Sequence, residues 1–178
     1  MKNTRKLVLM ALLAALTCVT TMVIPIPTPL TSGYVNLGDC FVLISAWLLG
    51  PLYGGIAGGV GSALADLLLG YTHYVPGTFL IKGLMAVVAG LLFCAMQHWN
   101  KPYLARLISA IPAELVMVAG YFGYAWLILG KGVTAAVSSI PSNLFQALVG
   151  IVAAFALCAV IDLSRLSDQL VTKGAEHK

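Results

Sequence analysis

Long apolar stretches alternate with short breaks rich in proline, glycine or polar residues along the whole 178-residue chain. The breaks place apolar segments at about 7–24, 35–50, 54–70, 79–97, 104–129 and 138–162. A helix rises about 1.5 Å per residue, so crossing a hydrocarbon layer of roughly 30 Å takes about 20 residues. Segments two and three fall short of that length. They read as two short spanning helices or as a re-entrant hairpin joined at Gly50-Pro51, and either choice returns the chain to the same side. The pattern predicts an all-α membrane protein, a bundle of six transmembrane helices forming one integral-membrane domain over residues 1–178.

Composition sharpens this picture. Hydrophobic residues make up 60% of the chain and charged residues 9%, with a mean hydropathy of +0.97. A water-soluble chain of this size would have too little polar surface to cover its core, so the lipid bilayer is the solvent. No basic block with interleaved aromatics is present, which leaves nucleic-acid binding without support. The ten basic residues are distributed unevenly. With the N-terminus inside, the inner segments hold Lys2, Arg5, Lys6, Lys101, Arg106, Arg165, Lys173 and Lys178, the outer side holds Lys131, and Lys82 lies within a span. That asymmetry predicts an N-in, C-in, multi-pass protein of the cell membrane.

The first segment also has the look of a signal peptide, with Lys2, Arg5 and Lys6 before Leu7–Leu16 and a Thr17-Cys18 pair where a lipoprotein would be cut. Thr17 is large for that site and the apolar run continues to Ile24, which favours a retained helix. Cys18, Cys40, Cys94 and Cys158 lie in apolar stretches without metal-ligand spacing and read as small packing residues.

The predicted topology puts 25–34, 71–78 and 130–137 outside. Pro25, Pro27 and Pro29 favour a stiff extended segment in the first of these. The run Gly54-Gly55-Ile56-Ala57-Gly58-Gly59 lacks the lysine and hydroxyl of a phosphate loop. Small residues four apart instead let helices approach closely in lipid, and Ala11 and Ala15 in the first span form a similar face. No internal repeat of the kind found in inverted-repeat carriers is visible.

The chemistry rests on polar residues kept inside apolar segments at a cost of about 2.5–3.5 kcal/mol for each charge near the bilayer centre. Glu114 lies deep in the fifth span, with Met117, Val118, Tyr121 and Ala125 following on its face and Tyr124 beside them. A carboxyl beside a thioether and aromatic rings suits a small, flat, polar ring; the structural alternative is a protonated Glu bonded to a neighbouring helix. Asn143 and Gln146 share a face of the sixth span, where amides either line a pocket or glue helices together. Lys82, Asp66 and Asp39 lie at about one depth, which predicts a Lys82–Asp66 or Lys82–Asp39 pair. No metal-binding spacing and no nucleophile elbow appear, so neither a metal, a cofactor nor an enzymatic activity is expected.

Five runs of residues, in this order, are similar to a known family: Ala11-Leu12-Leu13-Ala14-Ala15, Asn36-Leu37-Gly38-Asp39, Gly77-Thr78-Phe79-Leu80-Ile81-Lys82-Gly83-Leu84, Pro112-Ala113-Glu114-Leu115-Val116-Met117-Val118-Ala119-Gly120-Tyr121-Phe122 and Pro141-Ser142-Asn143-Leu144-Phe145-Gln146. The chain resembles, over nearly its full length, the substrate-binding S component of energy-coupling factor (ECF) vitamin transporters, in the branch for riboflavin, pyridoxine or hydroxymethylpyrimidine. The resemblance implies capture of a vitamin-like small molecule from outside and docking on a transmembrane T subunit that carries two ATPases. It maps the T-subunit contact to Ala11 and Ala15. It maps ligand contacts to Lys82, Glu114, Tyr121, Asn143 and Gln146, with Asn36 and Asp39 near the mouth and segment 25–34 as a lid. Glu114 and the amides favour a single pyridine or pyrimidine ring over the larger riboflavin. The alternatives are a stand-alone ion-coupled carrier with Glu114 as its proton site, and a small membrane enzyme or assembly subunit.

Overall fold

The computed structural model describes the backbone of residues 3–23, 26–28, 33–99 and 101–175, and the side chains of 4–23, 36–99 and 101–162. Helix α1 (Asn3–Val23) leads into a two-stranded antiparallel hairpin, β1 (Ile26–Thr28) and β2 (Gly33–Val35), in which Pro27 is opposite Tyr34. Helices α2 (Gly38–Leu68), α3 (Val75–Ala95), α4 (Pro102–Gly123), α5 (Val133–Val137) and α6 (Ile140–Ala175) follow. The hairpin agrees with the extended backbone that the prolines demand. The remaining residues of the expected lid, and Pro25 and Pro29 among them, lie outside the described backbone.

Among the described residues five helices are long and apolar enough to cross a membrane, where the sequence predicts six segments. The difference lies in α2. Segments two and three form one element of 31 residues, broken only at Gly50, whose φ of +79° and ψ of −178° reverse the chain ahead of Pro51. A Cβ added to Gly54 would fall 2.7 Å from the Ala46 Cα, and one added to Gly58 would fall 3.0 Å from Val42. Residues eight and sixteen apart along a straight helix stand about 12 and 24 Å apart. Their contact shows that the two arms of α2 run back along each other. The glycine run supplies the close approach that the sequence pattern anticipates. It also explains why no loop separates the arms: one residue without a Cβ adopts the left-handed φ that the reversal needs.

The start of α3 and the end of the fifth segment each have a local cause. Pro76, read as part of a loop, sits in the first turn of α3, where its missing N–H is one of the groups a helix leaves unpaired anyway. The fifth segment ends in a widened π-turn over Tyr124–Ile128, closed by Leu129 N–H donating to the Tyr124 carbonyl at 3.0 Å. Pro112 lies inside α4, which continues through it.

Packing is inside-out relative to a water-soluble protein. Asp39, Ser45, Asp66, Thr78, Lys82, Ser109, Glu114 and Gln146 are buried, while Leu52, Leu68, Leu80, Leu127 and Val160 are exposed. In water such an apolar exterior is an aggregation hazard; against lipid it is the favoured surface. Hydroxyls within α1 are accommodated locally: Thr17 and Thr21 donate to the carbonyls one turn back, at 2.8 and 2.7 Å. Val42, Leu43, Met85 and Met117 form the fully buried centre. Nearer the end of the bundle that holds Gly50, Trp47 packs against Phe93 and Phe155, and its indole N–H donates to Ser109 at 3.0 Å.

Candidate functional site

The end of the bundle nearest the β-hairpin gathers the last turn of α1, both ends of α2, the start of α3, the end of α4 and the start of α6. Between them lies a cavity of about 90 Å³, several times what one water needs. Asn36, Lys82, Tyr121, Asn143 and Gln146 all line it, together with Thr21, Ser62, Asp66, Tyr71, Tyr74, Thr78, Ala125, Ser139 and Ser142. Helical spacing accounts for much of this convergence. Thr78 lies one turn before Lys82 on α3, and Ser139 and Ser142 lie one turn before Asn143 and Gln146.

Two hydrogen-bonded chains organise the walls. In the first, Lys82 Nζ pairs with Asp39 Oδ1, both groups almost fully shielded from solvent. Gln146 Nε2 donates to Asp39 Oδ2 at 2.7 Å. The Gln146 Oε1 then accepts from the main-chain and side-chain nitrogens of Asn36, at 3.3 and 3.2 Å. Asn36 Oδ1 accepts from the Gly38 N–H at 2.8 Å and so steadies the start of α2. In the second chain, Thr78 donates to Asp66 Oδ2 and Tyr121 donates to Thr78 at 3.1 Å. The Tyr121 ring also lies over the Lys82 ammonium, 5.5 Å from it. Of the two pairings left open for Lys82, the structure realises the one with Asp39.

Asp39 does not line the cavity; it stands behind Lys82 and Gln146 and fixes both. Glu114 lies deeper. It is 2% exposed and is not part of the cavity wall. Both of its carboxylate oxygens lack a hydrogen-bond partner among the described residues. A Cβ on Gly150 would meet both Asp39 and Glu114, so α6 has no side chain where these two acids approach it. Tyr71 and Tyr74 escape a reading based on helical faces because they come from the turn between α2 and α3, where no periodicity marks them. Tyr74 is held by Lys131, whose ammonium donates to its hydroxyl at 3.0 Å, and Tyr124 donates to the His73 carbonyl at 2.9 Å. Ala11 and Ala15 are exposed on the outside of α1, away from the cavity. Among the described residues no group of His, Cys, Asp and Glu could hold a metal ion.

A family model for the ECF-type riboflavin transporter S component matches residues 1–163. The chain belongs to this S-component family. Among relatives of the S component, an uncharacterized protein of Pyrococcus woesei is 40% identical over 134 residues, covering 75% of this chain and 86% of the relative. A protein of Lactococcus lactis subsp. cremoris named as the thiamine precursor transporter HmpT is 32% identical over 162 residues, covering 90% of each. The fold of the S component is shared with a solved S component of a bacterial ECF transporter, at a TM-score of 0.68 and 18% identity over 95% of this chain and 99% of the other. It is also shared with the S component for biotin from an ECF-type ABC transporter, at a TM-score of 0.51 and 20% identity over 89% and 95% of the two chains. The family model and both solved structures are of transporter S components, and five helices of this one, among the described residues, are of a length and apolarity to cross a membrane.

Proposed function

We propose that this S component captures a small water-soluble vitamin or vitamin precursor from outside the cell membrane and carries out no chemistry on it. Hydroxymethylpyrimidine or pyridoxine is the favoured cargo and riboflavin the larger alternative. The observation that carries this reading is the polar cavity at one end of an otherwise apolar bundle, lined by five of the seven residues singled out from sequence: Asn36, Lys82, Tyr121, Asn143 and Gln146. The thiamine precursor named for the Lactococcus relative supports a single ring. So do three tyrosines in the wall, Tyr71, Tyr74 and Tyr121, whose faces suit stacking on a flat heterocycle. Purified protein in detergent, without nucleotide, tests this directly. One of the three vitamins should raise the melting temperature, by the equivalent of about 2.7 kcal/mol at a ligand concentration one hundred times Kd. No shift with any of them overturns the reading.

Residues 1–178 act in this proposal as one membrane-embedded unit with both termini inside. The two arms of α2 serve as the second and third of six crossings. Their tip supports that role: a Cβ on Gly90 would stand 2.7 Å from the Pro51 nitrogen, which sets the reversal against the far third of α3. The inner placement of eight basic residues supports the orientation. The β-hairpin covers the cavity as a lid. Cargo release is driven by a T subunit and two ATPases, docked through the Ala11 and Ala15 face of α1. Ala11→Leu with Ala15→Leu is expected to abolish co-purification with such a module while leaving vitamin binding intact; retained co-purification removes the docking face.

One observation favours a second reading. The unpartnered Glu114 carboxyl beside the cavity floor is what a stand-alone ion-coupled carrier needs as a proton site. Vesicles containing this chain alone, given a pH gradient and the bound vitamin, separate the two readings. The proposed function expects no accumulation.

A further inference from the structure

The direction of the hydrogen bonds around the cavity restricts its cargo further than its outline does. A carboxylate can only accept. Since Asp66 and Thr78 are bonded, Thr78 must donate, and since Thr78 and Tyr121 are bonded, Tyr121 must donate in turn. The hydrogens of both hydroxyls are therefore committed toward Asp66. Three other lining hydroxyls behave alike: Thr21 donates to the Thr17 carbonyl, Ser139 to Ala136 and Ser142 to Ser139, whereas the Tyr74 hydroxyl accepts from Lys131 and keeps a hydrogen to donate. Lys82, the one ammonium in the wall among the described residues, is engaged by Asp39. Apart from Tyr74, what these groups turn toward the cavity is oxygen lone pairs, with the Asp66 carboxylate the strongest acceptor among them.

Resting on the vitamin-capture reading, we propose that Asp66, buttressed by Thr78 and Tyr121, is the specificity-determining residue of the site, and that it selects an unphosphorylated nitrogen heterocycle presenting N–H donors, such as an aminopyrimidine. A ring amino group placed on Asp66 makes a charge-assisted hydrogen bond. A phosphate ester brings negative charge to a site whose ammonium is already paired and whose wall carries a carboxylate, and like charges brought together inside a cavity repel. The Asn143 amide, which both donates and accepts, lies in the same wall from α6 and can meet a ring nitrogen or hydroxymethyl group.

The test is calorimetric titration of the purified full chain with 4-amino-5-hydroxymethyl-2-methylpyrimidine, its phosphate ester, pyridoxine and riboflavin. The aminopyrimidine is expected to bind most tightly, and its phosphate ester about 100-fold or more weakly. Asp66→Asn, which keeps an acceptor for Thr78, should weaken the aminopyrimidine about 10- to 100-fold while the ligand-free melting temperature stays near that of the wild type. Thr78→Val, which removes the buttress and leaves the carboxylate, should weaken it less. Equal binding of the phosphate ester, or an Asp66→Asn variant that binds as the wild type does, overturns the inference. Tight binding of pyridoxine or riboflavin without the aminopyrimidine overturns it while sparing vitamin capture. Failure of every ligand on the panel overturns both.

Discussion

Lys82→Met is expected to destabilise the protein by about 3–5 kcal/mol, because it leaves the Asp39 carboxylate buried without its cation. Asp39 is 0% exposed, so water cannot replace the lost ammonium. Gln146 donates to the other carboxylate oxygen and cannot neutralise the charge. Asp39→Asn is expected to be nearly as damaging from the other side. The double variant Lys82→Met with Asp39→Asn removes both charges together and should recover much of the loss, since a buried pair adds little beyond a neutral replacement of similar shape. Thermal unfolding of the single and double variants in one detergent checks this, and a double variant no better than the singles refutes the ion pair as the cause. Vitamin affinity should fall in all three, because the pair also orients Gln146 and the Tyr121 ring.

Gly54→Val should abolish the folded protein or reduce its stability by about 3 kcal/mol, the upper end of what overpacking costs. The atoms that a Cβ would strike are the Ala46 Cα and the Ser45 carbonyl oxygen, 2.7 and 2.8 Å away. Both are backbone, so no side chain can rotate aside. Relief requires the two arms of α2 to separate, which takes Asp39 and Asp66, one on each arm, out of register with each other. The yield of monodisperse protein on size exclusion, with its melting temperature, measures the effect. Gly123→Ala is the control: nothing lies within 4 Å of a Cβ there, and it should behave as the wild type.

The apolar pattern was enough to place the bundle because lipid demands long continuous segments, and each predicted segment corresponds to helix in the structure. Gly50-Pro51 also reads as a joint in the sequence. What hydropathy could not show is that the joint is a single residue, since the tightness of a reversal is set by φ and by contacts such as Gly54 on Ala46. Asn36, Lys82, Tyr121, Asn143 and Gln146 were legible as cavity residues because polar side chains inside apolar helices need a shared reason to be there. Glu114 met the same criterion and yet lies beneath the cavity: burial cost marks a residue as unusual without fixing how deep it sits. Tyr71 and Tyr74 were invisible for the opposite reason, as aromatic residues in a turn carry neither burial cost nor period. Thr78 could have been found by stepping one turn back from Lys82.

The Gln146 carboxamide occupies an unusual crossroads. Its oxygen holds Asn36, the first residue past β2, and its nitrogen holds the acid that secures Lys82. An incoming molecule that recruits its oxygen competes with Asn36, and one that recruits its nitrogen competes with Asp39. Through this one side chain α6 ties the end of the hairpin to the buried ion pair.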